Sequence, residues 1–214
     1  MPAPRKSEGA AGGAMQRAFA WPYRAILAVL LWTGVRPWQL TLLSLGFTVA
    51  VAWLVVTGRW FVAALLLLGA GLCDVFDGSV ARQRGEAKRL GAFMDSVLDR
   101  ISDWLLFSSL YWALAADGRR FAAALALATL VVSLLVSHIR AEAEAAGRAL
   151  SEGFFQRLER FLLLLAGLAV PHAMLPVLIA LVVLGAVTVV QRGWGALSQA
   201  RVVAPDDRGG VARS

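Results

Sequence analysis

The sequence is poor in the residues that build disulfide frameworks and thiolate or imidazole metal sites. It has one cysteine, Cys73, and two histidines, His138 and His172, among 214 residues. A single cysteine excludes an intramolecular disulfide, and the two histidines are far apart and have no cysteine beside them. We therefore expect neither zinc chemistry nor catalysis by a histidine or cysteine nucleophile.

Charge is also scarce. Charged residues make up 16% of the chain and hydrophobic residues 59%, with a mean hydropathy of +0.68. This composition is too apolar for an ordinary soluble domain, and it predicts an all-α integral membrane protein. The net charge of +7 comes from basic residues scattered in short loops without interleaved aromatic residues. We therefore expect membrane lipids as partners and no nucleic acid.

Six apolar segments predict six transmembrane helices, since a span needs about 20 apolar residues. They lie at 40–56, 61–81, 92–115, 121–138, 161–173 and 176–190. Basic and aromatic residues alternate between Met15 and Leu31, which predicts an interfacial amphipathic helix, broken or shortened by Pro22. The domain would then span 15–200, between disordered tails at 1–14 and 201–214.

The Lys and Arg residues indicate an orientation. Most of the 21 lie before the first segment, in the second and fourth loops or after the sixth segment, and only Arg59, Arg119 and Arg120 lie on the opposite side. By the positive-inside rule, both termini and the second loop face the cytoplasm of a plasma-membrane protein.

Aspartates cluster around the second loop. Asp74 and Asp77 are three residues apart, and Asp95 and Asp99 are four apart, so each pair lies on one helix face. An antiparallel hairpin would bring the pairs together as four carboxylates at one membrane depth. Asp103 continues the second face by one more turn, and we expect a structural hydrogen bond from it rather than a catalytic role.

Four carboxylates in an apolar setting require compensating positive charge, and Arg82 alone is not enough. Hard divalent cations that prefer oxygen ligands fit best, which predicts Mg²⁺ or Mn²⁺, with a two-metal site of the kind used in phosphoryl chemistry. Gly78 and Gly91 would leave space for a ligand or for close helix packing, and Arg82 is placed to meet a phosphate.

Eight of these residues share the spacing D-x2-D-G-x2-A-R-x8-G-x3-D-x3-D. This pattern resembles the signature of the CDP-alcohol phosphotransferase family. Its location also resembles that family, because it runs from the end of one predicted span to the start of the next. The resemblance implies an enzyme that transfers a phosphatidyl group from CDP-diacylglycerol, or a similar CDP-lipid, to an alcohol and releases CMP. It also implies a homodimer.

The resemblance further implies roles for individual residues. Asp74, Asp77 and Asp95 would hold the metals, and Asp99 would be a further ligand and the general base for the acceptor hydroxyl. The CDP-lipid would be bound by four residues between them: Gly78, Ala81, Arg82 and Gly91. The residues that differ from many relatives are Trp38, in "RPWQLT", and Glu142.

The segment "DSVLDR" is similar to that of members using inositol phosphate, through Ser96 and Arg100. Arg140, Arg160 and Arg192, from three cytoplasmic helix ends, could form a pocket for a phosphorylated alcohol. Inositol phosphate, giving phosphatidylinositol phosphate, is the predicted acceptor; glycerol 3-phosphate, giving phosphatidylglycerophosphate, is the alternative. A divalent-cation transporter is a rival of another class, although neither paired halves nor matching broken helices are evident.

Overall fold

The computed structural model describes residues 10–85, 89–145 and 157–203, and the secondary structure within them is all helical, with short turns between the helices. Seven helices follow one another: α1 (Ala10–Trp32), α2 (Pro37–Val56), α3 (Trp60–Gln83), α4 (Arg89–Ala116), α5 (Arg120–Ala145), α6 (Arg157–Ala169) and α7 (Met174–Val203). Each of the six predicted apolar segments coincides with, or overlaps, one of the helices α2 to α7.

Four helices in the described part of the chain are long and apolar enough to cross a membrane: Pro37–Val56, Trp60–Gln83, Arg120–Ala143 and Met174–Gly195. Helix α4 has 28 residues but carries Asp95, Asp99, Arg100 and Asp103, and α6 has only 13 residues. Large apolar side chains such as Phe61, Trp112 and Val183 point outward and are exposed. This arrangement is that of a membrane protein, in which lipid covers the outer apolar surface.

The N-terminal helix differs from the prediction. The expectation of a broken or short helix was wrong, because α1 continues through Pro22 from Ala10 to Trp32. It begins inside the segment 1–14 that was predicted to be a disordered tail. At the other end, α7 reaches Val203, into the predicted tail 201–214. Residues 1–9 and 204–214 lie outside the described residues.

The fifth apolar segment also ends earlier than predicted. Helix α6 ends at Ala169, and a turn joins it to α7, with the backbone N–H of Ala173 donating to the carbonyl of Val170. Pro171 lacks the N–H that a continuing helix would need. His172 adopts a left-handed conformation, with φ of 65°, so the chain reverses within a few residues.

Tight turns make neighbouring helices antiparallel. Gly58 between α2 and α3, with φ of 76°, and Gly118 between α4 and α5, with φ of 74°, take up the left-handed conformation that ends a helix. The segment between the end of α3 at Gln83 and the start of α4 at Arg89 is also short. The carboxyl end of α3 and the amino end of α4, both carrying aspartates, therefore lie at the same end of the bundle.

The helices pack around one apolar core. Phe107, Leu110 and Leu114 of α4 and Leu178 and Leu181 of α7 are at its centre and fully buried. Helix α2 packs on α3 and α4, α5 packs on α4 and α7, and α6 packs on α3 and α7. A smaller cluster between α1, α2 and α3 includes Leu27, Leu40, Phe76 and Val80. It fixes α1 beside the aspartate-bearing end of α3.

Candidate active site

Three carboxylates from two helices converge at this end of the bundle. One oxygen from each of Asp74 on α3 and Asp95 and Asp99 on α4 lies within 4.8 Å of the others, and all three side chains are half-buried. We call this group the carboxylate cluster. The structure thus brings together three of the four predicted metal ligands.

The donor set fits a hard divalent cation. All three ligand atoms are carboxylate oxygens, which Mg²⁺ and Mn²⁺ prefer. Magnesium binds oxygen at about 2.0–2.1 Å, so two ligands of one ion are at most about 4.2 Å apart. The observed oxygens lie within 4.8 Å of one another, about 0.6 Å beyond this limit at most. Three like charges this close also repel one another unless a cation lies between them.

Asp77, the fourth predicted ligand, is placed differently. Its side chain is buried, and its Oδ2 accepts a hydrogen bond of 2.9 Å from Oγ1 of Thr41 on α2. It remains near enough to Asp74 and Asp95 for their charges to interact. Thr41 therefore ties Asp77 to α2 at the border of the carboxylate cluster.

The Arg82 side chain folds back toward the preceding turn of its own helix, α3. Its Nη2 donates to Ser79 Oγ at 3.1 Å, and its Nη1 would lie 3.3 Å from a β-carbon placed on Gly78. Ser79 is buried and also accepts a 2.7 Å hydrogen bond from the hydroxyl of Tyr23 on α1. The Tyr23 ring stacks on Phe76, with ring centroids 5.3 Å apart. Helix α1 therefore supports the guanidinium predicted to bind CDP.

The other predicted CDP-lipid residues leave room beside the carboxylates. A β-carbon on Gly91, near the start of α4, would meet nothing within 4 Å, and Ala81 is half-buried one turn after Gly78. Trp38 is 55% exposed. Its neighbour one turn on, Thr41, is the residue of "RPWQLT" that reaches the site.

Two of the three predicted acceptor arginines contact neighbouring turns of α5. Arg160 of α6 donates through Nη1 to Ser133 Oγ, and Arg192 of α7, which is buried, donates through Nη1 to the Val136 carbonyl at 3.1 Å. Ser133 and Val136 are one helical turn apart. Arg140 is one turn further along α5 and exposed. The structure thus places all three arginines along a single side of α5.

Asp103 has a partner. Its Oδ2 accepts a hydrogen bond from Ser133 Oγ and lies 3.5 Å from Nη2 of Arg160. The expected structural hydrogen bond is therefore present. On the same helix, Arg100 donates to the carbonyl oxygen of Ser96 at 2.6 Å and to its hydroxyl, so these two residues of "DSVLDR" contact each other.

The model of the CDP-alcohol phosphatidyltransferase family matches residues 35–192, which include the carboxylate cluster and all three arginines. The chain belongs to this family.

Similar proteins share most of this phosphatidyltransferase's length. Phosphatidylinositol phosphate synthase of Corynebacterium glutamicum is 39% identical over 166 residues, covering 74% of this chain and 76% of that protein. Its namesake from Mycobacterium tuberculosis is 38% identical, covering 72% and 71%. The archaetidylinositol phosphate synthase of Methanothermobacter thermautotrophicus is 37% identical, covering 64% and 70%.

Solved structures agree with the fold of this phosphatidyltransferase. The crystal structure of Mycobacterium tuberculosis phosphatidylinositol phosphate synthase with CDP-DAG bound superimposes with a TM-score of 0.74 at 33% identity, covering 89% of this chain and 96% of that one. The same enzyme in complex with manganese and citrate gives a TM-score of 0.73 at 33% identity, covering 89% and 92%.

Three residues that support the candidate site of this phosphatidyltransferase were not predicted from the sequence. Thr41, Tyr23 and Ser133 each hold a charged or polar site residue, yet each lies on another helix, 36, 56 and 30 residues from its partner. A polar residue in an apolar segment was the available signal, but such residues also bond to their own helix. The partner becomes evident only when the helices are packed.

Proposed function

We propose that the chain transfers the phosphatidyl group of CDP-diacylglycerol to inositol phosphate, forming phosphatidylinositol phosphate and releasing CMP. The observation that carries the proposal is the convergence of Asp74, Asp95 and Asp99 within 4.8 Å, on residues that fall at the family's spacing. The acceptor follows from the relatives named phosphatidylinositol phosphate synthase, at 38–39% identity. Membership of an enzyme family argues against the cation transporter.

The cofactor is a divalent cation, Mg²⁺ or Mn²⁺, in keeping with the manganese in the related crystal structure and with the all-oxygen cluster here. A pair of such ions supplies charge neutralisation at the diphosphate and stabilises the attacking and leaving oxygens. Asp74, Asp95 and Asp99 would bind the metal, and Asp77 would complete the ligand set on the side facing α2.

The chain's own residues position and activate the two substrates. Arg82, held by Ser79, presents a guanidinium to the diphosphate, and the absence of a β-carbon on Gly78 leaves space for that guanidinium. Gly91, where a β-carbon would meet nothing within 4 Å, leaves room for the nucleotide. Asp99 has a second role as the general base: its carboxylate accepts the proton of the acceptor hydroxyl as that oxygen attacks the β-phosphorus carrying the diacylglycerol. General-base help of this kind contributes about 10²- to 10⁴-fold.

The acceptor would lie between the carboxylate cluster and α5. Arg160 and Arg192 contact α5 one turn apart, and Arg140 follows on the same side. Three guanidinium groups suit an acceptor that already carries a phosphate. Glycerol 3-phosphate shares that phosphate and remains the second candidate, but the named relatives favour inositol phosphate.

The arrangement in the membrane is also part of the proposal. Helices α2 to α7 would make six crossings, with α4 crossing through its apolar second half and α6 through a short span. Helix α1 would lie at the interface before them. The termini and the carboxylate cluster would face the cytoplasm of the plasma membrane, and two chains would form a homodimer.

The test is an acceptor panel on purified protein in detergent or nanodiscs. CMP release from CDP-diacylglycerol should require Mg²⁺ or Mn²⁺ and should be fastest with inositol phosphate. Glycerol 3-phosphate, free inositol and serine are the competing acceptors. Protein that binds CDP-diacylglycerol but never releases CMP with a phosphorylated alcohol would refute the proposal. Release only with glycerol 3-phosphate would change the acceptor and leave the reaction class in place.

A further inference from the structure

Asp103 lies in an ion pair that connects three helices. It is on α4, Ser133 is on α5 and Arg160 is on the first turn of α6. Asp103 Oδ2 accepts from Ser133 Oγ and lies 3.5 Å from Arg160 Nη2, and the Arg160 and Asp103 side chains are only 16% and 23% exposed. Arg160 Nη1 donates to the same serine hydroxyl. We call these three residues the α4–α5–α6 triad.

A charged pair in this setting needs an explanation beyond stability. The free energy needed to remove an aspartate and an arginine from water often exceeds the free energy gained from their attraction. Apolar residues of similar size often stabilise a core as well or better. The neighbouring core positions of α4, Phe107 and Leu110, are apolar and fully buried. Leucine at 103 and 160 would have satisfied packing alone, so the charge of at least one member has a use.

The position of the pair relative to the carboxylate cluster indicates that use. Asp103 follows Asp99 by four residues, which is a rise of about 6 Å along the helix. The pair therefore fixes the Arg160 guanidinium about one turn from the carboxylate proposed as the base. Arg192 contacts α5 one turn from Ser133, so the Arg160 and Arg192 guanidinium groups reach neighbouring turns of α5.

The contacts also fix the orientation of the guanidinium. A guanidinium has five N–H donors in one plane. Nη1 of Arg160 donates to Ser133 Oγ, and Nη2 lies 3.5 Å from the Asp103 carboxylate as an ion pair. These two contacts limit rotation of the guanidinium plane, and its other N–H groups keep donor capacity for a bound anion. Without Asp103, a long arginine side chain about one turn from the carboxylate cluster would be drawn toward it, because opposite charges attract strongly at low dielectric.

We propose that Asp103 is a positioning residue for the acceptor: together with Ser133 it holds Arg160 where its guanidinium binds the acceptor's phosphate. This inference rests on the proposed function, in which the acceptor carries a phosphate. It assigns Asp103 no contact with the metal or with the reacting atoms.

The test separates the two substrates by their KM values. Asp103→Asn keeps the size of the side chain and removes its charge. It should raise the KM for inositol phosphate about tenfold, in the range found when one partner of a coupled pair is removed, and leave the KM for CDP-diacylglycerol within about twofold. Asp103→Glu should recover part of the loss. Asp117→Asn, in the turn just after the carboxyl end of α4, is the matched control and should change neither KM.

A double variant distinguishes a role in positioning Arg160 from a role only in holding the three helices together. Arg160→Ala should raise the acceptor KM by itself, and adding Asp103→Asn should raise it no further. If Asp103 only held the helices together, Asp103→Asn would instead lower thermal stability and reduce kcat, and the KM of both substrates would be unchanged. That pattern, or an unchanged acceptor KM in folded Asp103→Asn, would overturn the inference. CDP-diacylglycerol binding verifies folding, and Ser133→Ala, which keeps both charges, gives a milder second test with a smaller rise in the same KM.

The two proposals can fail separately. If wild-type protein releases CMP with inositol phosphate but Asp103→Asn has a normal acceptor KM, the role of Asp103 is wrong and the function stands. If wild-type protein releases no CMP with any phosphorylated alcohol, the function itself is wrong.

Discussion

The hydrogen bond from Thr41 to Asp77 gives the sharpest test of how α2 supports the proposed metal site. Thr41→Val keeps the shape of the side chain and removes its hydroxyl. That hydroxyl lies 2.9 Å from Asp77 Oδ2 and 3.1 Å from the Pro37 carbonyl. It has a single proton, and an ionised carboxylate is the stronger acceptor. The substitution therefore takes a donor from a buried carboxylate and leaves the other ligands unchanged.

The size of the effect follows from the burial of Asp77, which is 8% exposed. A hydrogen bond to a charged group contributes about 1.5–3 kcal/mol, equivalent to roughly ten- to a hundredfold in an equilibrium constant. Loss of a partner that orients a metal ligand costs a similar 10- to 100-fold, roughly, in metal affinity. The Mg²⁺ concentration for half-maximal activity should rise by about tenfold or more, and saturating metal should restore most of the wild-type rate.

The assay is CMP release from CDP-diacylglycerol as a function of Mg²⁺ or Mn²⁺ concentration. Thr48→Val is the matched control, because Thr48 is also buried on α2 but donates at 3.0 Å to the Ser44 carbonyl, away from the carboxylates. Thr41→Ser, which keeps a hydroxyl, should recover much of the metal affinity. If Thr41→Val and Thr48→Val show the same metal dependence as wild type, Asp77 does not depend on Thr41 for a role in metal binding.

Two further predictions concern the base and the packing. Asp99→Asn should reduce CMP release by at least about 10²-fold while CDP-diacylglycerol still binds, and near-normal turnover would exclude Asp99 as the base. Gly71→Ala should lower the free energy of unfolding by about 1–3 kcal/mol, because the new β-carbon would overlap the Phe161 ring. Gly46→Ala, where the β-carbon meets nothing within 4 Å, is the control in thermal unfolding and should be neutral or stabilising.

The helices could be predicted because local patterns determine them. Apolar runs located α2 to α7. Pro22 misled the prediction for α1. A proline inside a helix costs about 3 kcal/mol, but the turns that follow it pack on α3 through Tyr23 and Leu27. Tertiary contacts of this kind outweigh a local preference, and the sequence does not display them.

The same distinction explains how far the site itself was predictable. Asp95 and Asp99 are four residues apart, so helix geometry alone puts them on one face, and a hairpin brings Asp74 to meet them. Whether Asp77 joins that group or turns to Thr41 depends on the rotation of α3 against α2, which spacing does not fix. Asp103 has the same spacing from Asp99 as Asp99 has from Asp95, yet it faces Ser133 and Arg160. The first part of this acidic face of α4 lies beside Asp74 of α3, and the next turn lies beside Ser133 of α5 and Arg160 of α6. One continuous acidic face therefore divides into a part that can bind metal and a part that can hold an arginine.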